Sequence, residues 1–465
     1  MFGKILTALT FTCAVCVSVT AQDAKSVLEA TIKNMGDIKS AQYSGSGAQF
    51  NLGQSVSPDA PWPRTELKSF TRTVDYDKQA SRNEAVGPQA ALATQFLAGD
   101  KAWGQAGANT TPASPAATTE RQLQLWLTPH GFLKGALANK ATAKKSGNAT
   151  IVTFTALGKY RVVGVISADN LVEKVEARLD NAVLGDMIVE ATYSDYRDFG
   201  GFKFPAKMAQ KQGGHPVLDL TVTEAKANVA LDLTVPDTVR EATPPAVRVT
   251  SEKLADGVWY LTGGSHHSVA LEFADHVAVI EAPLNEDRSN AVIAEVKKLL
   301  PAKPIRYLIN THHHFDHSGG VRTYVAEGAT IVTHQSNKVF YEATFKAPHT
   351  LNPDRQWREK KKAKILAIGA KHVMSDSARA VELHLIQDNP HNTGIIMAWL
   401  PKEKLLVEVD VYTPLQPNAS PPANPNLNTV NFYENIQRLN LDVNRIVPLH
   451  GRVVDLAELK RTIGK

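Results

Sequence analysis

Residues 312–320 read His312-His313-His314-Phe315-Asp316-His317-Ser318-Gly319-Gly320, with four histidines and one aspartate in the first six positions. The apolar stretch 305–309 has the content of a buried strand and runs straight into this cluster, and helical spacing resumes near 321–326. Along an extended segment, side chains at i and i+2 share a face. His312 and His314 can therefore grip one ion while His313 points the other way. Asp316 and His317 follow, where a turn can aim them at a second ion close by. Neutral imidazole and carboxylate suit zinc, and a catalytic zinc has three protein ligands plus a water position. The run thus needs distant partners. Two further histidines stand at strand ends, His391 in Asn389-Pro390-His391-Asn392-Thr393-Gly394 and His450 in Val447-Pro448-Leu449-His450-Gly451. Asp410 closes the apolar segment 405–410 and is placed to bridge both ions.

Around this cluster the second half of the chain alternates strand and helix patterns. Strands are expected at 258–261 and 269–273, on either side of Gly263-Gly264, and at 277–280. A helix is expected at 291–300 and a helical, insertion-like segment up to about residue 370. Strands at 381–386, 395–400 and 405–409, a helix at 430–439, a strand at 446–448 and a helix at 457–463 complete the pattern. This order predicts two mixed sheets with helices outside, an α/β sandwich. The segment 235–247, with Pro236, Pro244 and Pro245, is the expected domain boundary. Before it, a helix at 23–36 ends at Gly36 and is followed by alternating strands such as 67–76, 149–155, 160–167, 172–179, 187–193 and 217–222. The Thr/Ala/Pro/Ser-rich stretch 106–119 reads as a flexible loop.

The first 21 residues read as a signal peptide: Lys4, an apolar stretch at 5–19, and the small residues of Val19-Thr20-Ala21 before Gln22. The apolar stretch is shorter than the roughly 20 residues a membrane span needs, and no later segment resembles a span. Export to the periplasm or beyond is the expectation. Both cysteines, Cys13 and Cys16, fall in that segment. The mature chain is then expected to lack disulfides, thiolate ligands and a cysteine nucleophile. A length of 465 residues suggests two folded units or three. A net charge of +5 is mild at that length and gives no dense basic stripe, which argues against a nucleic-acid partner and leaves a small-molecule substrate. Lys360-Lys361-Lys362 with Lys364 reads as the solvated face of a helix. Nothing in the sequence speaks to oligomeric state.

The run from His312 to His317 resembles the His-x-His-x-Asp-His signature of the metallo-β-lactamase-fold hydrolase superfamily, and His391, Asp410 and His450 occur in the order that family expects. The resemblance spans about 249–465. It implies a fold of class α/β, an αββα metallo-β-lactamase-like sandwich, here preceded by a β-rich α+β domain at 22–240. Carried over residue by residue, His312, His314 and His391 would hold one metal, Asp316, His317 and His450 the second, with Asp410 bridging. The implied cofactor is two Zn2+, with iron as the alternative. The implied activity is a metal-dependent hydrolase in which two ions activate a water to cleave an ester, thioester, lactone or related bond, with Asp316 orienting the water and carrying a proton. β-Lactamases of the superfamily mostly lack the bridging aspartate, so Asp410 shifts the expectation away from a lactam, while iron-dependent oxygenases share the ligand geometry. Tyr412 and His267 are the expected substrate contacts. Glu281 stands where the family commonly has aspartate, and a carboxylate there could orient a ligand histidine. The first half is similar to the curved sheets of periplasmic lipoprotein carriers, which implies, as an alternative of another class, a ligand- or partner-binding module.

Overall fold

The computed structural model describes residues 21–465. Apart from Ala21, the segment read as a signal peptide lies outside the described residues. Helix α1 (Ala21–Met35) ends at Gly36, whose φ of +97° only glycine adopts without strain. One antiparallel sheet of 13 strands follows. Its first strand, Ser40–Phe50, pairs on one side with Arg64–Asp75 and on the other with the last, His215–Ala227, so two meanders are joined along that line. Alternate residues face inward, as in Val172–Asn181 with Val175, Ala177 and Leu179 buried. Helices α2 (Pro115–Trp126) and α3 (Pro129–Ala138) join α1 on that inner face. Leu28, Met35, Leu123, Phe132 and Leu133 pack there against Tyr43, Val152, Val189 and Phe204.

The stretch 106–119 is not the flexible loop its composition suggests. It contains the strand Asn109–Pro112 and the start of α2, where the Ser114 hydroxyl accepts from the Ala117 N–H at 3.2 Å and Pro115 opens the helix. A Ser-Pro pair followed by alanines is a helix start, because serine caps the free N–H groups and proline has none to lose.

The second half holds two sheets. The larger has seven strands in sequence order, Thr250–Ala255, Val258–Thr262, Ser268–Glu272, Val277–Ile280, Ile305–Ile309, Thr330–His334 and Lys364–Ile368, antiparallel up to Val277–Ile280 and parallel beyond it. The smaller has six, Lys371–Ser375, Ala380–Leu385, Ile396–Leu400, Leu405–Glu408, Arg445–Pro448 and Val454–Asp455. Three apolar layers follow. Leu271, Ile280 and Ile309 meet Leu383, Ala398 and Val407 between the sheets. Val292, Ile293 and Val296 of the helix Glu286–Leu299 cover the outside of the larger sheet, with Val277, Val279 and Leu308 beneath. Phe432 and Ile436 of the helix Leu427–Arg438 cover the smaller one. This is the helix–sheet–sheet–helix sandwich expected from the sequence.

The segment expected to be helical up to residue 370 is broken. Helices Lys338–Lys346 and Arg355–Glu359 give way to the strand Lys364–Ile368. Lys360 has a φ of 52° and stops the second helix, so the lysine run is an exposed link into a strand rather than a helix face. Among the described residues, no helix is long and apolar enough to cross a membrane.

Candidate metal centre

Ligand-type side chains from the ends of both sheets meet around Asp410. His312 and His314 leave the strand Ile305–Ile309 in extended conformation, and the single turn Phe315–Ser318 carries Asp316 and His317. His391 sits between Ala380–Leu385 and Ile396–Leu400, Asp410 just past Leu405–Glu408, and His450 just past Arg445–Pro448. Asp410 Oδ2 lies 3.3 Å from His312 Nε2, 3.0 Å from His317 Nε2 and 3.1 Å from His391 Nε2, and Oδ1 lies 2.8 Å from His450 Nε2. One group of possible metal donors, all within 4.8 Å of one another, comprises His312, His314, His391 and Asp410; a second comprises Asp316, His317 and Asp410. His450 Nε2 is 3.3 Å from His317 Nε2. The structure thus brings together all of the residues read from the sequence as ligands.

The rings are held from behind. His317 Nδ1 donates to Glu281 Oε2 at 3.1 Å, His450 Nδ1 to the Ser265 carbonyl at 3.0 Å, and His314 Nε2 to the Ser55 carbonyl at 2.9 Å; His312 Nδ1 meets Thr311 Oγ1 at 3.0 Å. A carbonyl only accepts, so His314 carries its proton on Nε2, His450 carries one on Nδ1, and the opposite nitrogens face the cluster. Such outer bonds fix tautomer and ring direction at metal sites. Glu281 also accepts from the Thr311 N–H at 2.6 Å, which ties the start of the histidine run to the end of the strand Val277–Ile280. Glu281 and Asp410 have φ values of 71° and 64°. Two non-glycine carboxylates in left-handed conformation at strand ends are strained positions of the kind that cluster at functional sites.

A divalent metal fits these residues. His314 Nδ1 is buried, directed into the cluster and without a hydrogen-bond partner, and the buried His312 Nε2 has only Asp410 Oδ2 at 3.3 Å, although buried polar atoms are nearly always paired. Burial, helped by neighbouring imidazoles, pushes the His314 ring down to about 4 and holds His312 well below the ordinary histidine range. Both are then neutral at pH 7, the form that ligates. Burial alone would raise the Asp410 and Asp316 carboxyls; His317 and the other imidazoles hold Asp410 low, and His266, His317 and Gln54 hold Asp316 low. Both remain ionised. Glu408, buried two residues before Asp410, is the opposite case: burial and then the Asp410 charge raise it well above the carboxylate range. It accepts from the Val411 and Tyr412 N–H groups at 3.3 and 3.2 Å and so shapes the turn that presents Asp410.

Two expected contacts are misplaced. Tyr412 is buried under the helix Leu456–Thr462, its hydroxyl 3.4 Å from Thr462 Oγ1, because the turn after Asp410 sends the next apolar side chains into the core. His267 donates its backbone N–H to the Leu449 carbonyl at 2.9 Å and packs its buried ring edge-on against Tyr260. Its neighbour His266 faces the centre, with Nε2 3.3 Å from Asp316 Oδ2 and its ring centroid 4.2 Å from that of His450. Consecutive side chains on extended backbone point to opposite sides, so only one of the pair can line the site, and nothing local indicates which. His313 faces away, as expected, between Ser55 Oγ at 3.0 Å and Asn392 Nδ2 at 3.1 Å. Gln54 and Ser55 reach the site from the first half of the chain, and no motif marks them.

Residues 261–384 match the family described as the metallo-beta-lactamase superfamily. A curated relative, the 2,4-dinitroanisole O-demethylase subunit alpha of Nocardioides sp. (strain JS1661), is 24% identical over 163 residues, 35% of this chain and 46% of that protein. The chain therefore matches somewhat under half the length of that relative. Similar solved structures include a metallo-beta-lactamase from Pontibacter korlensis, 16% identical, covering 47% of this chain and 98% of its own with a TM-score of 0.35. The metallo-beta-lactamase FIM-1 from Pseudomonas aeruginosa, in a mono-zinc form, is 20% identical over 48% of this chain and 96% of its own, with a TM-score of 0.36.

Proposed function

We propose that this chain is an exported, binuclear metal-dependent hydrolase, zinc-loaded, that cleaves an ester, thioester, lactone or related bond in a small molecule. The observation that carries this reading is the convergence of His312, His317, His391 and His450 on one carboxylate, Asp410, with His314 Nδ1 buried beside them and without a partner. His312, His314 and His391 would hold one ion, Asp316, His317 and His450 the other, and Asp410 would stand between them. Bound divalent ions supply Lewis acidity and lower the pKa of water toward 7. The protein supplies the rest. Asp410 and Asp316, both ionised, balance the positive charge. Asp316 is half-exposed at the rim with Oδ1 held by Gln54; its Oδ2 accepts the proton of the attacking water and passes it to the leaving group. His266 lies within reach of that oxygen and of an arriving substrate. Export rests on the composition of residues 1–21.

The test is a substrate screen on the zinc-loaded mature chain with an aryl ester, a thioester, an acyl lactone, a chromogenic lactam, a phosphodiester and, because of the Nocardioides relative's name, 2,4-dinitroanisole. Turnover of the ester, thioester or lactone that is lost in His314→Ala is the expected result. Stoichiometric iron with oxygen consumption would replace this reading with an oxygenase.

A further inference from the structure

The loop 51–63, which joins the strands Ser40–Phe50 and Arg64–Asp75 of the 13-stranded sheet, leaves its own sheet and lies along the histidine run. It touches that run at four successive residues. Gly53 O accepts from the Phe315 N–H at 3.3 Å, Gln54 Nε2 donates to Asp316 Oδ1 at 2.8 Å, Ser55 O accepts from His314 Nε2 at 2.9 Å, and Ser55 Oγ meets His313 Nε2 at 3.0 Å. One residue on, Val56 O accepts from the Thr393 N–H at 2.9 Å, two positions past His391. The loop is anchored at both ends. Gly53 has a φ of +69° and lies so close to the Phe315 ring that any Cβ would overlap it. Buried Trp62 stacks on His215 of the 13-stranded sheet at 4.4 Å and meets Phe315 edge-on at 6.1 Å.

These contacts act on atoms the metal centre needs. The Ser55 carbonyl places the His314 proton on Nε2 and leaves the buried, unpartnered Nδ1 facing the cluster. The Gln54 amide occupies Asp316 Oδ1 and leaves Oδ2 on the side of the cluster, 3.3 Å from His266 Nε2 and 3.5 Å from His317 Nε2. Both are outer bonds of the kind whose loss costs a metal site about tenfold to a hundredfold in affinity. They come from the other half of the chain, 262 positions away in the case of Gln54 and Asp316.

We infer that the N-terminal half completes the metal centre: Gln54 is a positioning residue for Asp316, and the Ser55 carbonyl sets the tautomer of His314. This inference rests on the metal-centre reading above. In the full chain, Gln54→Met keeps the side-chain length and removes the donor. Zinc affinity is measured by competition with a chromogenic chelator, and the cobalt-substituted protein by its visible absorption. The variant is expected to hold the ion at Asp316, His317 and His450 at least tenfold more weakly, with an altered cobalt spectrum and an unchanged ion at His312, His314 and His391. Two ions bound with wild-type affinity and an identical spectrum would overturn the inference and leave the hydrolase reading standing. A wild-type chain that binds no divalent ion would remove both. Should Gln54→Met fail to fold, long-range nitrogen–proton NMR of the metal-free wild type decides. A His314 ring protonated on Nε2 is expected, and one protonated on Nδ1 would contradict the assignment.

Discussion

Asp410 has four imidazole nitrogens within 3.3 Å of its two carboxylate oxygens. Substituting it should therefore disturb both groups of ligands at once. Asp410→Asn keeps the shape and removes the charge, and is expected to lower zinc affinity at least tenfold, read by equilibrium dialysis with elemental analysis; an unchanged zinc content would contradict the bridging role. Tyr412 makes the opposite case. With its hydroxyl at Thr462, Tyr412→Phe should leave kcat/KM within about twofold of wild type, and a large loss in kcat would return the tyrosine to the site. The candidate ligands were legible in the sequence because metal chemistry restricts donors to a few residue types and the strand period fixes which of them share a face. The contacts were not. Whether His266 or His267 lines the site depends on how the loop between Val258–Thr262 and Ser268–Glu272 turns, and Arg288, which donates to the carbonyls of Leu261, Thr262 and His266, decides that from a helix more than 20 residues away.

At the scale of elements, the strands that feed the site are readable as apolar runs, and their ends carry the chemistry. The strand Val277–Ile280 is wholly buried and delivers Glu281, whose carboxylate bonds the Thr311 N–H, the Asn310 amide and His317 Nδ1. Removing the charge while keeping the size leaves those donors short of an acceptor. Glu281→Gln is expected to destabilise the metal-free protein by about 3 kcal/mol, measured by urea unfolding; a change within error would mean that the strand end is held by its backbone alone. Composition misled where it was used without capping logic. The stretch 106–119 looks like a linker by residue count, yet Ser114-Pro115 starts a helix that buries Leu123, Leu125 and Trp126.

The molecule as a whole is two sheet systems tied by the loop 51–63 and by a second contact, where the Asp186 carboxylate accepts from the Thr350 and Leu351 N–H groups at 2.9 and 3.0 Å, and neither tie was visible in the sequence. Contacts between residue 55 and residues 313–314 leave no periodicity, and a Gly-Gln-Ser turn reads as any surface loop. What composition did indicate was a proline-rich segment near the middle of the chain and a change of rhythm across it. The interior of the first half has its own pH signature. His130 is buried between Met35, whose carbonyl lies 3.4 Å away, and the Phe204 ring, and burial pushes its pKa down to about 4. The folded state keeps this ring neutral while the unfolded chain takes up a proton below about 6.5, so stability present above that pH is lost as the pH falls from 6.5 toward 4. The contribution is on the order of 3 kcal/mol. His130→Gln should flatten the acid limb of the urea midpoint over that window, and an identical limb would show that the titration lies elsewhere.

The central claim, that ligands from both sheets of the second half form one binuclear centre, is tested most directly by the metal content of the purified mature chain. Elemental analysis after dialysis should find two zinc ions per chain, falling to one or fewer in His314→Ala. A wild-type chain without bound metal, or a His314→Ala protein that retains both ions, would contradict it.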